Sequence, residues 1–103
     1  MATYKKKEKE MEVLNIHKMN PYRLYKNTEY IGRGSKWGNP FVIGKDGDRA
    51  EVIEKYRIYA YNKWVEDQGY GIDWLEPLKG KDLKCFCAPQ ACHGDVLIEM
   101  IGE

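Results

Sequence analysis

Several features that would place this chain in a specialised class are missing from its sequence. A membrane-spanning helix needs about twenty consecutive apolar residues, and no apolar run in this sequence comes near that length. The N-terminus also lacks the apolar core of a signal peptide. The formal net charge is only +1, so bulk electrostatics do not require a nucleic-acid partner. Neither an internal repeat nor a linker between two halves is visible. We therefore expect a soluble cytoplasmic protein that has no membrane partner.

Cysteine is scarce and unevenly placed. All three cysteines lie in one stretch, "KCFCAPQACHGD", from Lys84 to Asp95. An odd count with two cysteines one residue apart argues against a disulfide scaffold and fits reduced thiols.

The charged residues indicate where the folded part begins. The first ten residues, "MATYKKKEKE", hold four of the 17 basic residues and two of the 16 acidic ones. We predict that residues 1–10 form a flexible Lys-rich tail and that residues 11–103 form one domain. The remainder is near neutral, and 43% hydrophobic residues suffice for a small core.

Hydrophobic patterns and turn residues predict an α/β fold. Strands are expected at Met11–Lys18, Glu29–Arg33 and Asp82–Cys87. A capping box of Asp48 and Glu51 begins a long helix that Gly69 can end. A short helix at Trp74–Lys79 and a final helix near His93 complete the order β-β-α-α-β-α. This order favours a sheet of about three strands, at least partly parallel, with three helices. A compact α+β arrangement is the main alternative.

The ends of parallel strands predict a binding site. Ligands bind beyond the carboxyl ends of such strands, so the loops after strands two and three should open on one edge. The side chains of Arg33 and Lys36 can hold phosphate. Trp37 can stack on a base, and the amide of Asn39 can pair with a base edge or a sugar hydroxyl. The predicted ligand-binding residues are Asn15, Arg33, Ser35, Lys36, Trp37 and Asn39. For the loop alone, packing of Trp37 over the core edge is an equally good interpretation.

The cysteine-rich stretch allows a metal site or a reactive thiol. Zinc would need Cys85, Cys87, Cys92 and His93, but their spacing is cramped and adjacent side chains diverge. We therefore expect no metal or other cofactor, and well under one zinc per chain. Cys92 lies at a helix N-terminus, which favours a thiolate, so we expect it to be the accessible thiol and Cys85 to be buried. The candidate catalytic residues are Cys92, His93 and Asp95.

Two blocks together identify a resemblance. "YIGRGSKWGNPF" (Tyr30–Phe41) and "LKCFCAPQACHGDVLIEM" (Leu83–Met100) resemble the domain-of-unknown-function family 4326, which is found in bacteriophages and bacteria. The second block is also loosely similar to the ending of uncharacterised family 488. His17 stands where family 4326 often has an arginine. The resemblance implies a fold and a site but no settled reaction, and its phage association favours nucleotides or nucleic acids by analogy.

Four functions remain open at this stage. The first is an enzyme that acts on a nucleotide or modified base, and the second is a module that binds such a ligand without chemistry. A nucleic-acid binder is the third possibility, because tyrosines interleave with Lys18, Arg23, Lys26, Arg33 and Lys36. The fourth is a structural protein stapled by zinc. The sequence does not decide whether the protein is an enzyme, nor its oligomeric state.

Overall fold

Three short parallel strands form the sheet. The computed structural model describes residues 11–25, 27–87 and 90–102, so the predicted tail lies outside the described residues. Strands β1 (Val13–Asn15) and β2 (Thr28–Tyr30) flank β3 (Asp82–Cys85), giving the order β1-β3-β2. Both pairings are parallel, which agrees with the predicted α/β class and its at least partly parallel sheet. All three strands therefore end at one edge of the sheet.

Local capping residues fix the long helix α1 (Arg49–Gln68). The Asp48 carboxylate accepts a hydrogen bond from the Glu51 backbone N–H, and the Glu51 carboxylate accepts one from the Asp48 N–H, each at 2.9 Å. Gly69 follows as the C-cap. The predicted capping box and both ends of this helix are confirmed, and its N-terminus lies near the carboxyl edge of the sheet.

A second capping box begins helix α2 (His93–Ile101). Cys92 is the N-cap, and its sulfur accepts a hydrogen bond from the Gly94 N–H at 3.3 Å. The Asp95 carboxylate accepts a bond from the Cys92 N–H at 3.0 Å. Gly102 ends the helix in the left-handed conformation, with φ of 94°, which glycine adopts without strain.

The predicted third helix is not confirmed, and the strands are shorter than predicted. Only Glu76–Leu78 of that helix is helical, as one 3₁₀ turn. Pro77 cannot donate within a longer helix, and Gly80, with φ of 75°, ends the turn. Ile16–Lys18, predicted to continue β1, forms another 3₁₀ turn because the Asn15 carboxamide accepts a hydrogen bond from the His17 N–H.

The core lies between the sheet and the two helices, which pack against each other. Its largest fully buried side chains are Tyr56, Ile31, Leu78, Leu83, Leu97, Val96 and Cys85. These come from both helices, the 3₁₀ turn at Glu76–Leu78, β3 and the residue after β2, so the core joins the sheet to both helices. Among the described residues, no helix has the length and apolar character needed to cross a membrane.

Candidate ligand-binding site

A pocket of about 310 Å³ opens at the carboxyl edge of the sheet. Gly32 and Arg33, after β2, line one side, and the stretch from Cys85 to Cys87 lines another. Cys92 and His93 contribute the start of α2. The loops after the second and third strands thus meet at one edge, as the parallel arrangement predicts.

Two arginines line this pocket from different elements. Arg33 is exposed in the loop after β2, and Arg49 is the first residue of α1. Arg49 Nη1 donates to the Ala91 carbonyl at 3.0 Å, which orients its guanidinium group just ahead of α2. Each guanidinium carries five N–H donors in a planar fork that matches phosphate and carboxylate oxygens. The pocket therefore has two cationic groups beside the N-termini of both helices.

Aromatic and aliphatic side chains form the rest of the wall. Phe86 is 49% exposed, and Phe41, Val42 and Ile43 line the pocket after the tryptophan loop. His17 and Tyr30 lie beside the Phe86 ring, with centroid distances of 5.1 and 6.1 Å. The Phe86 ring is thus packed against two residues outside the pocket lining, and about half of Phe86 is exposed.

The three cysteines converge at the floor of the pocket. Their Sγ atoms all lie within 4.8 Å of one another, and the Cys85 and Cys92 sulfurs are 3.4 Å apart. Cys85 and Cys92 are buried, whereas Cys87 is half-buried. The chain turns back after Cys87, where the Gln90 N–H bonds to the Cys87 carbonyl at 2.9 Å, and this turn returns Cys92 to the strand end.

The prediction that Cys92 is the accessible, thiolate-prone cysteine is wrong. Its exposed fraction is 3%, close to the 1% of Cys85. The hydrogen bond with the Cys85 thiol, reinforced by burial, raises the pKa of the Cys92 thiol above its ordinary value. The N–H of Gly94 favours the thiolate, but this effect is smaller. Burial of Cys85 is as predicted.

His93 faces the core rather than open solvent. Its Nε2 lies 2.7 Å from the Ile31 carbonyl oxygen and must donate, because a carbonyl can only accept. The Tyr56 ring packs edge-on at 5.0 Å. Burial lowers the pKa of His93, although the bond to Ile31 opposes this effect. His93 lines the pocket, but one of its two ring nitrogens is engaged in joining α2 to the residue that follows β2.

Trp37 does not offer the stacking surface expected of it. It is 6% exposed within the core cluster, and its Nε1 donates to the Trp74 carbonyl at 3.0 Å. The Tyr56 hydroxyl donates to the Trp37 carbonyl at 2.6 Å. Lys36 Nζ lies 5.0 Å from the centre of the Trp37 ring. The packing interpretation of the loop is therefore correct for Trp37.

The glycine after Trp37 also serves packing. A Cβ on Gly38 would lie 2.7 Å from the Gly32 carbonyl oxygen, so only glycine allows this close approach of backbone segments.

Of the remaining predicted site residues, one lines the pocket and three stabilise the backbone around it. Asn39 lines the pocket, but its amide donates to the Val52 carbonyl and accepts from the Phe41 N–H, which joins the loop to α1. The Ser35 hydroxyl donates to the Gly32 carbonyl at 2.7 Å, and Asn15 Nδ2 donates to the Phe86 carbonyl at 3.1 Å. Asp95 is exposed and caps α2. Ser35, Asn15 and Asp95 thus support the backbone around the pocket.

The basic and aromatic residues between Asn15 and Trp37, which suggested nucleic-acid binding, form a less continuous exposed surface than the sequence implies. Arg23 pairs with Glu12 at 2.9 Å and lies over the Tyr25 ring at 4.6 Å. Trp37 is buried, and Lys26 lies outside the described residues. Tyr22, by contrast, is 95% exposed.

The predicted site residues did not include several that line the pocket, among them Arg49, Phe41 and Phe86. Phe41 belongs to the "YIGRGSKWGNPF" block, and Phe86 alternates with the two cysteines around it. Arg49 directly follows the predicted cap of α1, but its place in the pocket depends on how α1 lies against the strand ends.

The fold and pocket define a small α/β protein with a cavity at the carboxyl edge of a parallel three-stranded sheet. Residues 14–103 match the family described as "Domain of unknown function (DUF4326)", and the chain belongs to this family, which confirms the resemblance. It is 36% identical over 74 residues to the "Uncharacterized 12.4 kDa protein in nrdA-td intergenic region" of Enterobacteria phage T4. That match covers 71% of this chain and 66% of the phage protein, just under two thirds of its length. No solved structure matches the chain.

Proposed function

We propose that the strand-end pocket binds a small anionic ligand that carries a planar ring, such as a nucleotide. The observation that carries this proposal is the convergence of Arg33 and Arg49 on one pocket that also contains both helix N-termini. Charge-assisted hydrogen bonds from arginine to phosphate are among the stronger polar contacts in proteins. The helix dipoles add positive potential, which the capping carboxylates of Asp48 and Asp95 partly offset.

The shape and lining of the pocket support the same ligand class. Its volume of about 310 Å³ is at the small end of the about 300–1,000 Å³ typical of small-molecule sites. Phe41 and Phe86 are the aromatic residues of its lining, and the arginines offer positive charge. A ligand with a flat apolar part and an anionic part matches this division.

The contacts of the three candidate catalytic residues favour binding over chemistry by a free thiol. Cys92 is buried beside Cys85, His93 Nε2 is bonded to Ile31, and the Asp95 carboxylate caps α2. A nucleophilic thiol needs an accessible thiolate, which this environment does not favour. We therefore propose a non-catalytic binding role for the Cys92–Asp95 turn.

Two measurements on untagged protein test the proposal. Mass spectrometry of small molecules released from freshly purified protein should find a phosphorylated, ring-bearing compound. Thermal unfolding with a panel of nucleoside monophosphates, inorganic phosphate and uncharged nucleosides should show stabilisation by the charged ring compounds above all, because a ligand of the native state raises the midpoint. If no phosphorylated compound is released and none of the panel changes the midpoint, the proposal is wrong.

A further inference from the structure

The three cysteine sulfurs form a cluster that the spacing of the sequence does not suggest. Cys85 ends β3, Cys87 follows two residues later, and Cys92 caps α2. Because the chain turns between Cys87 and Cys92, the side chain of Cys92 points back to the strand end, and all three Sγ atoms lie within 4.8 Å of one another. Neighbouring His93 points away, to the Ile31 carbonyl.

We propose that Cys85, Cys87 and Cys92 bind one zinc ion through three thiolates. Zinc–sulfur bonds of about 2.3 Å in a tetrahedral site place the sulfurs about 3.8 Å apart. The Cys85 and Cys92 sulfurs are 3.4 Å apart and the other pairs at most 4.8 Å apart, so small side-chain movements would bring all three to this spacing. Thiolates are soft ligands, and tetrahedral sulfur-rich sites favour zinc over magnesium, calcium or manganese.

Backbone N–H groups already point at two of the sulfurs. The Gly94 N–H donates to the Cys92 sulfur at 3.3 Å, and the Cys87 N–H donates to the Cys85 sulfur at 3.5 Å. Such outer hydrogen bonds orient metal ligands and stabilise the thiolate form. The two donors flank the turn that gathers the sulfurs, since Cys87 precedes it and Gly94 lies in the first turn of α2, so backbone N–H groups face the cluster from both sides of the turn.

The charges around the cluster suit a site of this composition. Three thiolates with Zn²⁺ carry one net negative charge, and Arg33 and Arg49 line the pocket beside them. The two guanidinium groups would offset that charge, while the Asp95 carboxylate, bonded to the Cys92 N–H, adds negative charge at the start of α2.

The sequence-based argument against zinc applied to a different ligand set. It required Cys92 and His93 to reach the same ion, and their side chains do diverge. With three cysteines as the protein ligands, one coordination position remains for water or for a group of a bound molecule, as in catalytic zinc sites. Because all three cysteines line the pocket, that position would face the pocket. Only this last point rests on the proposed ligand binding.

The test uses untagged full-length protein, purified under reducing conditions without chelator. Elemental analysis should find about one zinc per chain. Cys87→Ser should retain far-ultraviolet circular dichroism, because Cys87 is the half-buried member, but lose most of the zinc. His17→Gln is the control: His17 is an exposed potential ligand near Phe86, outside the cluster, and its loss should leave the zinc content unchanged.

Cobalt substitution of the wild-type protein gives a second readout that does not depend on a variant folding. Thiolate-to-cobalt charge transfer and intense visible bands should appear at one equivalent of cobalt and disappear on addition of zinc. Reduced wild-type protein that carries no zinc and gives no cobalt–thiolate bands would overturn the proposal. Equal zinc contents of the wild type and of folded Cys87→Ser would also overturn it. A disulfide between Cys85 and Cys92 in place of the metal would do the same. The Arg33→Gln variant should contain as much zinc as the wild type. The zinc content therefore distinguishes a failure of metal binding from a failure of ligand binding.

Discussion

Trp37 is held in the core by contacts with residues far along the chain. Its indole N–H reaches the Trp74 carbonyl, and its own carbonyl accepts the Tyr56 hydroxyl, so this one residue links the loop after β2 to α1 and to the segment before β3. Neither contact can be read from the local sequence "SKWGNP". The loop that lines the pocket is therefore positioned by burial of its tryptophan.

Replacing Trp37 should lower the free energy of unfolding. Trp37→Ala removes a large buried side chain and should cost about 3–5 kcal/mol. Trp37→Phe keeps most of the packing but leaves the buried Trp74 carbonyl without this donor, and should cost about 1–3 kcal/mol. Urea unfolding measures both, with Tyr70→Phe as a control, because Tyr70 is 80% exposed. A Trp37→Ala variant as stable as the wild type would show that the indole is not part of the core.

The three thiols should differ in reactivity once metal is absent. In reduced protein treated with a chelator, a mild alkylating reagent should label Cys87 first, because Cys85 and Cys92 are 1% and 3% exposed. Peptide mass spectrometry after short exposure identifies the modified residue. Preferential labelling of Cys92 would contradict the burial described above.

At the scale of elements, α1 depends on its N-terminal cap for more than its own stability. The cap fixes where the helix begins, and the first helical residue, Arg49, lines the pocket. A helix that begins even one turn later would withdraw this guanidinium and its bond to Ala91.

Asp48→Ala should therefore reduce both stability and ligand affinity. Loss of an N-cap side chain costs about 0.5–2 kcal/mol, whereas Asp48→Ser restores an oxygen that accepts the same N–H and should be nearly neutral. Thermal unfolding of the two variants, followed by circular dichroism, measures the difference. Equal destabilisation by Ala and Ser would indicate that the carboxylate charge, and not the capping bond, stabilises the helix.

Elements that are governed by local chemistry could be predicted from the sequence. Asp48, Glu51 and Gly69 determine the ends of α1 through bonds within a few residues, and both ends agree with the prediction. The segment Trp74–Lys79 differs from its predicted helix. The Asp73 carboxylate accepts a hydrogen bond from the Leu75 N–H in a tight turn, and Pro77 limits the helix to one turn. The parallel sheet was predicted from element order alone.

The site was only partly predictable, because its members meet through tertiary packing. Arg33, Asn39, Cys92 and His93 do line the pocket, since the parallel strands end together. Convergence of the cysteine sulfurs depends on the turn after Cys87, and entry of Arg49 depends on how α1 lies across the strand ends. Neither follows from residue spacing.

For the whole molecule, the two arginines that line the pocket are a local feature of an almost neutral chain. The formal net charge is +1, so attraction of an anion to this protein must come from the placement of a few groups rather than from overall charge. Binding that depends on Arg33 and Arg49 should therefore be sensitive to single substitutions and should not be reproduced by cations elsewhere on the surface.

The most direct test is the affinity of a nucleoside monophosphate for wild type and Arg33→Gln, measured by isothermal titration calorimetry. Arg33 is exposed and supports no core contact among those described, so the variant should fold normally. Loss of a charge-assisted bond contributing about 1.5–3 kcal/mol should weaken binding by about tenfold or more. Lys63→Gln removes the same charge far along α1 and should leave the affinity unchanged. Equal affinities of wild type and Arg33→Gln, or no binding by the wild type, would contradict a strand-end anion site.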